Sequence, residues 1–451
     1  MLSSRWRWIG VLWTICCFVS AQMPRDGFIM VGLDMNYAGW PDTWFFSPSG
    51  AFTWHNWPAP ASTSTAATIE DGEVLYFAEP SVVSFVAPGP YTFYRATVGP
   101  GLTMHATALG VYPNLQNQLI TGLAVAGDSL WFVTREASFL APSVSLVGRL
   151  DKRQANQAVS TIVDLGQLGF PQTFADARSN GRDLFLWGLG SGSVAGTILR
   201  IDTSISPPPV HSEPFAFHPT ISNGHLLGAR AVFPNQYQFT TENAWTGLQV
   251  PIPNAYYSRA PRSLAYNPWT RTLLVRYYSL VGSDVSLISP NVSQWQFVLS
   301  SQQNGFAAHL LPIHEEPVLV YGRGCANATG SDPRMAWEGL PERGGAMSLT
   351  VLRTEPASLV LFWLGLSRTR WGSNTLPLDA GFLGAPGCNL LASPEVCQVA
   401  ISDAIGRADL GLTLPNDPVL AGLRLYAQTG SASGANPFGF AASDALELRC
   451  R

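Results

Sequence analysis

Before Cys325 the sequence consists of short β-type hairpins of two alternating kinds, and this repeat constrains the fold more than any other feature. The first kind joins a strand of small residues to a strongly apolar strand through a polar turn, with copies starting at Thr65, Thr121, Thr173, Pro219, Pro261 and Gly305. The second kind joins two strands through a turn rich in Pro, Gly, Ser or Asn, with copies starting at Asp42, Tyr91, Ser145, Gly196, Asn235 and Asp284. Two hairpins make one four-stranded unit of about 45 residues, which is the period of a β-propeller blade.

The turns and the small residues of the first hairpin agree with this interpretation. The dipeptides Asp71-Gly72, Gly127-Asp128 and Asn180-Gly181 supply the positive φ angles that tight hairpins require. Alanines recur on the first strand of five of the six units, where a propeller is most crowded, and we expect these strands to line the central channel.

The order of the hairpins predicts how the ring closes. The series begins with the second kind at Asp42 and ends with the first kind at Gly305, so the two should complete one mixed blade. Closure removes the free sheet edges that would otherwise template aggregation. Residues 22–321 therefore resemble a generic six-bladed β-propeller. Residues 27–35, "GFIMVGLDM", either add a third N-terminal strand to the mixed blade or start a further blade of a seven-bladed alternative.

The N-terminus has the pattern of an export signal. Arg5 and Arg7 precede a short apolar run at residues 8–19, and Val19-Ser20-Ala21 fits the small-residue rule for cleavage before Gln22. The run is shorter than the roughly 20 residues of a membrane-spanning helix. We expect residues 1–21 to be a cleaved signal peptide, with a retained anchor as the alternative. The mature protein would be secreted or held at the cell surface, with no transmembrane span.

The rest of the composition excludes one class of partner. Charged residues make up 12% of the chain, and no cluster of Lys and Arg forms the basic stripe that a nucleic-acid-binding surface needs. We therefore expect no nucleic acid among its partners.

The C-terminal quarter is a second predicted unit. Residues 322–345 are polar and Gly-rich and are predicted to form a junction, and residues 346–451 contain six or seven short strands separated by turns, as in an antiparallel β-sandwich. This part resembles a module at the C-terminus of many exported proteins of planctomycete-like bacteria, through "YGRGC" (321–325), "WLGLSRTRWG" (363–372), "LPLDAGFLGAPGCNLLASPE" (376–395), "LPNDPVLAGLRLYAQ" (414–428) and "GANPFGFAASDALEL" (434–448). The resemblance implies an appendage of a secreted or surface protein, with an attachment or sorting role.

The cysteines predict two disulfides in this unit. After the signal peptide the chain has Cys325, Cys388, Cys397 and Cys450, an even number in an exported chain. We favour Cys325–Cys388, which ties the entry of the unit to a returning loop, and Cys397–Cys450, which locks its last residues; pairing of Cys388 with Cys397 across a hairpin is the alternative. Their spacing does not match the paired ligands of a zinc site.

The loop before Cys388 is predicted to fold back onto the sandwich. Prolines and glycines set its turns, and its apolar side chains should pin it to the core: Leu376, Leu378, Phe382 and Leu383.

No strong catalytic sequence motif is present, so no catalytic residue, metal ligand or cofactor is assigned. His309 and Asp176 lie on predicted innermost strands, and Asp34 is a third candidate axial residue. Ligands from different blades can converge on a propeller axis, which would permit a metal-assisted reaction. The simpler interpretation is that these polar residues cap the channel.

The segment from Gly39 to Pro58 is unusually rich in tryptophan, with Trp40, Trp44, Trp54 and Trp57. Aromatic rings stack on sugars, but they also pack blades together, because each buries about 150–250 Å². These four residues are candidate ligand-binding aromatics.

The sequence thus favours an exported, non-catalytic binding or surface-associated propeller with a C-terminal attachment module. Its ligand would be extracellular, a carbohydrate or a protein. The alternative is an extracellular hydrolase or lyase with a metal-assisted site on the propeller axis, since propellers support both.

Overall fold

The computed structural model describes these residues: 26–33, 43–47, 52–55, 65–81, 89–99, 102–113, 118–136, 145–170, 174–188, 196–203, 208–215, 220–222, 225–232, 236–243, 249–257, 261–279, 282–288, 296–301 and 307–451. The predicted signal peptide lies outside them. Their regular structure is almost entirely β-strand, as the sequence predicts.

Strands β1–β25 precede residue 314. In chain order they are β1 (Gly27–Leu33), β2 (Thr43–Phe46), β3 (Phe52–His55), β4 (Ala66–Glu70), β5 (Val74–Pro80), β6 (Tyr91–Val98), β7 (Met104–Tyr112), β8 (Gln118–Ala126), β9 (Ser129–Glu136), β10 (Leu146–Asp151), β11 (Gln157–Ala158), β12 (Ser160–Asp164), β13 (Phe174–Ser179), β14 (Asp183–Gly188), β15 (Gly196–Asp202), β16 (Val210–Phe215), β17 (Thr220–Ser222), β18 (His225–Val232), β19 (Gln236–Asn243), β20 (Gln249–Tyr257), β21 (Pro261–Asn267), β22 (Thr272–Ser279), β23 (Gly282–Ile288), β24 (Gln296–Ser301) and β25 (Ala307–Ile313).

In the described residues these strands form six sheets, mostly meanders of four antiparallel strands. Five sheets start with an innermost strand, namely β4, β8, β13, β17 or β21, and continue outward in chain order; β11 adds to the sheet of β4 beside β7. The predicted hairpin turns are confirmed, since Asp71, Gly72, Gly127 and Gly181 have φ angles of 52°, 68°, 57° and 99°. Adjacent sheets share apolar cores, for example where the rings of Phe93 and Phe132 lie 5.0 Å apart.

The sixth sheet, called the closing sheet below, has the order β25-β1-β2-β3. β25 pairs antiparallel with β1, placing Leu311 opposite Ile29 and His309 opposite Val31. The innermost strands contact one another in the cyclic order β25, β4, β8, β13, β17, β21 and back to β25. The chain therefore folds as a closed β-propeller whose last sheet combines N- and C-terminal strands, as predicted.

The composition of the closing sheet differs from the prediction in one strand. The sequence suggested a complete hairpin from Gly305, but only its first strand, β25, joins this sheet, while β1 occupies the remaining position. The second strand of that predicted hairpin, β26 (Val318–Tyr321), pairs instead with a C-terminal strand. A Val- and Leu-rich strand pairs with whichever free edge is nearest, and residue pattern alone does not identify that edge.

Residues 318–451 form two larger sheets and two two-stranded ones, and we call this part the C-terminal unit. After β26 its strands are β27 (Arg334–Glu338), β28 (Ala346–Leu352), β29 (Leu359–Gly365), β30 (Arg370–Trp371), β31 (Asn374–Thr375), β32 (Leu378–Asp379), β33 (Asn389–Leu390), β34 (Val396–Ile401), β35 (Ala408–Thr413), β36 (Arg424–Ala432) and β37 (Phe440–Arg449), with 3₁₀ turns at Ala380–Leu383 and Pro418–Leu420. The five-stranded sheet β26-β37-β36-β29-β34 and the three-stranded sheet β27-β28-β35 share one apolar core. The predicted junction at 322–345 contains β27 and so contributes to this core.

One of the two expected disulfides is present. Cys325 is bonded to Cys388, as favoured, whereas Cys397 is a free exposed thiol and Cys450 a free buried one. The predicted Cys397–Cys450 bond is wrong because β34 and β37 are separated by two intervening strands, or about 14 Å at ordinary strand spacing. A disulfide needs Cα atoms within about 7 Å.

The loop before Cys388 is held differently from the expectation. Leu376 is buried, but Phe382 and Leu383 are 72% and 47% exposed. The Asp379 side chain caps the short turn that carries both residues by accepting a hydrogen bond from the Gly381 amide. The disulfide and this cap hold the loop, so the prediction that Phe382 and Leu383 pin it to the core is wrong.

Candidate functional site

Asp176 and His309, two of the predicted axial residues, come together in the channel, and we call them the axial pair. Asp176 lies on β13 and His309 on β25, which belong to opposite sheets of the cyclic order. Asp176 Oδ2 lies 3.9 Å from His309 Nδ1. Asp34, the third predicted axial residue, lies outside the described residues. Convergence of innermost strands, which suggested the pair, therefore does place it in one site.

The hydrogen bonding of His309 sets its tautomer. His309 Nε2 lies 3.1 Å from the carbonyl oxygen of Thr65, which immediately precedes β4. A carbonyl oxygen only accepts, so Nε2 carries the proton and donates it. In the neutral ring Nδ1 is then an acceptor, and it faces the carboxylate of Asp176.

Asp176 is engaged through only one of its oxygens. Its Oδ1 accepts hydrogen bonds from the amide of Ala177 at 2.8 Å and from Arg178 Nη1 at 3.1 Å. Arg178 also donates to the carbonyl of Ala177 at 3.0 Å and to that of Leu310 at 3.4 Å. Oδ2 receives no hydrogen bond from the described residues, and it is this oxygen that faces His309.

The sequence analysis missed Arg178, although a signal was present. Residues two apart on a strand share a face, so an arginine at 178 must lie on the same side of β13 as Asp176. Its guanidinium lies 6.0 Å from the ring centroid of the buried Trp187. The residue both neutralises Asp176 and holds it in place.

Gly122 on β8 permits β13 to approach at the axial pair. A Cβ atom at this position would lie 2.4 Å from the amide nitrogen of Ala177 and 2.8 Å from the Cα of Asp176. Such contacts are too short for any side chain, so the position of Asp176 depends on glycine here.

A group of buried charges lies where the β13–β14 turn meets the C-terminal unit, and we call it the interface cluster: Arg182, Asp183, Arg200, Asp202, Arg334 and Asp444. Arg182, in the β13–β14 turn, pairs with Asp202 at 3.0 Å and with Asp444 of β37. Arg200 pairs with Asp183 at 2.8 Å, and Arg334 of the C-terminal unit lies 3.5 Å from Asp183 and 2.5 Å from Asp202. The Arg182, Asp202 and Asp444 side chains are at most 2% exposed. The cluster therefore joins the propeller to the C-terminal unit through charges shielded from water.

Further contacts show that β37 and the residues after it cross one end of the ring. Arg449 pairs with Asp71 in the β4–β5 turn at 2.9 Å. Arg451 pairs with Asp26, just before β1, at 2.7 Å, and its guanidinium lies 4.4 Å from the Trp269 ring centroid. The interface cluster lies at the sheet of β13 and Asp26 lies at the sheet of β25, and these two sheets are opposite in the cyclic order. The part of the chain that contacts both therefore crosses the axis of the ring. The C-terminal unit thus covers this end of the channel.

Solvent exposure is low at both the axial pair and the interface cluster. The side chains of Asp176 and His309 are 13% and 10% exposed, and those of Arg200 and Arg334 are 10% and 9% exposed. The Arg182–Asp444 contact is the most completely shielded, with 2% and 0% exposed.

The predicted aromatic residues are only partly described. Trp44 on β2 and Trp54 on β3 are register partners in the closing sheet, whereas Trp40 and Trp57 lie outside the described residues. The two strands thus bring two of the four candidates to opposed positions.

The described part of the chain contains no group of three His, Cys, Asp or Glu side chains arranged to hold a metal ion. The axial pair supplies two potential ligands, one oxygen and one nitrogen. Nor does any helix among the described residues have the length and apolar character needed to cross a membrane.

No protein-family model and no curated protein matches this chain. Solved structures with some similarity include TolB from Acinetobacter baumannii, with TM-score 0.39 and 12% identity over 67% of this chain and 71% of that one. Another is the periplasmic gluconolactonase PpgL of Pseudomonas aeruginosa, with TM-score 0.38 and 12% identity over 86% and 99%. A putative 6-phosphogluconolactonase from Bacteroides uniformis gives 0.38 and 10% over 86% and 100%. Such low values say nothing about activity, and the propeller assignment rests on the strand order described above.

Proposed function

We propose that this chain is an exported, non-catalytic binding protein: a six-bladed propeller that takes its ligand from the end opposite the C-terminal unit. The observation that carries the proposal is that the C-terminal unit docks on one end of the ring through buried ion pairs. The Asp176 and His309 side chains, on opposite innermost strands, take no part in that contact and are 13% and 10% exposed. A channel closed at one end and lined by polar groups suits recognition of a ligand held from one side.

The state of Asp176 favours binding over catalysis. Arg178 and the Ala177 amide hold one carboxylate oxygen, so the carboxylate is neutralised and fixed in one orientation. Such a group positions a ligand well, because little side-chain entropy remains to be lost when the ligand binds. In this proposal the C-terminal unit is the attachment or sorting module, permanently docked on the closed end.

The test of binding uses the mature chain, starting at Gln22, purified from the medium or periplasm of an expressing bacterium. It is applied to immobilised oligosaccharides and to immobilised extracellular proteins. We expect saturable retention on one of these classes, without turnover of the retained ligand. Saturable binding to neither would overturn the proposal.

Export is tested on the same preparation. Mass spectrometry should show a chain that begins at Gln22. A protein that stays in the cytoplasm with residues 1–21 attached would remove the export part of the proposal while leaving the binding part intact.

The second candidate function is an extracellular hydrolase or lyase, favoured by one specific observation. Asp176 Oδ2 and His309 Nδ1 face each other at 3.9 Å, and a carboxylate and an imidazole are suitable ligands for a divalent metal. Elemental analysis separates the two candidates. One divalent metal per chain, lost in Asp176→Asn together with a hydrolytic activity, would establish the enzyme; a metal-free chain that retains its ligand would establish the binder.

A further inference from the structure

We propose that the axial pair recognises the terminal unit of a neutral, hydroxyl-rich ligand, namely a sugar or polyol end-group. This inference rests on the proposed binding function and adds the chemical class of the ligand and the direction from which it is held.

The first argument is the hydrogen-bonding capacity of the pair. Asp176 Oδ2 is an acceptor, and in the neutral imidazole His309 Nδ1 is an acceptor too, because Nε2 carries the proton that is donated to Thr65. Two acceptors 3.9 Å apart cannot bond to each other. They can share a ligand placed about 2.8 Å from both, provided that it offers two donors. Neighbouring hydroxyl groups of one sugar ring meet that requirement.

The second argument is charge. Arg178 already neutralises Asp176, and the site is about nine-tenths shielded from solvent. A cationic ligand would leave an uncompensated positive charge there, and burying unpaired charge is costly. A neutral donor avoids this cost, which favours hydroxyl groups over ammonium groups.

The third argument is an unused donor at the same site. Arg178 Nε is buried and has no hydrogen-bond partner among the described residues. A buried donor without a partner destabilises a protein unless something satisfies it. A hydroxyl group can accept as well as donate, so one sugar ring has the groups to satisfy the axial pair and this donor together.

The closed end of the channel determines which part of a polymer can bind. The C-terminal unit crosses the axis beyond the axial pair through the Arg182–Asp444 and Arg451–Asp26 contacts. A polymer cannot thread through the ring, so the pair meets a chain terminus rather than an internal residue.

The experiment is isothermal titration calorimetry of the mature protein with trisaccharides of glucose, galactose, mannose and xylose, with spermidine and inorganic phosphate as charged probes. We expect at least one trisaccharide to bind and both charged probes to fail. Asp176→Asn should weaken that binding at least tenfold, and so should His309→Gln, which keeps a donor for the Thr65 carbonyl. The control Asp128→Asn alters an exposed turn carboxylate and should bind like the wild type. Circular dichroism and melting curves identify any variant that fails to fold.

A polymer of the preferred sugar tests the end-on direction. Its binding should scale with the concentration of chain ends and not with the concentration of sugar units. Scaling with sugar units would overturn this part of the inference.

The remaining outcomes separate the inference from the proposed function. Tighter binding of spermidine or phosphate than of any trisaccharide would refute the hydroxyl class. Sugar binding that both folded axial variants retain would place the sugar elsewhere and leave the binding function intact. Binding to an immobilised protein but to no sugar would refute the inference alone, whereas no binding to any ligand would refute both.

Discussion

Replacing Arg182 by methionine tests whether buried charge holds the propeller to the C-terminal unit. The substitution keeps an unbranched side chain but removes the cation that pairs with Asp202 and Asp444. Asp444, which is fully buried, would keep the hydrogen bond from the Met335 amide at 2.7 Å and the weaker electrostatic attraction of Arg334. Removing one partner of a buried ion pair costs about 3–5 kcal/mol, and we expect a loss of that size in the free energy of unfolding.

The loss should depend on pH in a defined direction. Burial raises the pKa of Asp444, and Arg182 partly opposes that rise. Without Arg182 the pKa of Asp444 should rise further above its value in the unfolded chain. A carboxyl with a higher pKa in the folded state binds its proton more tightly when folded, so protonation stabilises the fold. The deficit should therefore be largest at neutral pH and shrink as the pH falls through the raised pKa towards about 3.9.

The assay is urea unfolding followed by tryptophan fluorescence at two pH values. Arg182→Met is compared with Asp444→Asn and with the variant that carries both substitutions. The double variant should recover most of the lost stability, because no unpaired charge is then buried at position 444. Arg153→Met is the matched control, since Arg153 and its partner Asp128 are 72% and 67% exposed and such pairs contribute little. The reasoning is refuted if Arg182→Met unfolds at the same urea concentration as Arg153→Met, or if the double variant is no more stable than Arg182→Met.

Two further substitutions probe the axial site and the disulfide. Gly122→Ala should cost about 1–3 kcal/mol, because its Cβ would lie 2.4 Å from the Ala177 amide. Gly411→Ala is the control, because the Cβ position there is open space, and it should melt near the wild-type temperature. Equal melting temperatures for Gly122→Ala and Gly411→Ala would contradict the close approach of β13 to Gly122. Cys388→Ser should cost about 4 kcal/mol by opening a loop of 63 residues. Cys397→Ser should leave the stability unchanged and should remove the rapidly reacting thiol of the wild type. A wild type that shows no rapidly reacting thiol would contradict the assignment of Cys397 as a free, exposed cysteine.

The features that could be predicted from sequence are those that depend on neighbouring residues. The Asp71-Gly72 turn is readable because positive φ angles favour glycine and aspartate locally, and the structure shows both residues in that region. The alternation of the two kinds of hairpin likewise predicts the length of the four-stranded repeat. The axial pair followed from the same logic, since the innermost strands of a ring converge whatever their order.

The features that were missed depend on which distant elements meet. β26 has the pattern of a strand whichever sheet it joins, so its pairing with β37 was not readable. Cysteine spacing carries no information on strand order, which is what separates Cys397 from Cys450. Arg182 follows Asn180-Gly181 and has the local pattern of a solvated turn, yet it is buried because Asp444, 262 residues away, lies against it.

The interface cluster bears on how separable the C-terminal unit is. The sequence predicts an appended module, and such a module would be expected to work beside different neighbours. Here its Asp444 and Arg334 are buried against charged turns of the propeller, and its Arg451 pairs with Asp26 beside the strand that closes the ring. Charges buried in this way are stabilising only when every partner is present, because each remaining charge becomes a penalty when its partner is removed. In this chain, then, cutting before the C-terminal unit would remove Arg334 from Asp183 and Asp202 and Asp444 from Arg182, and would destabilise the propeller itself.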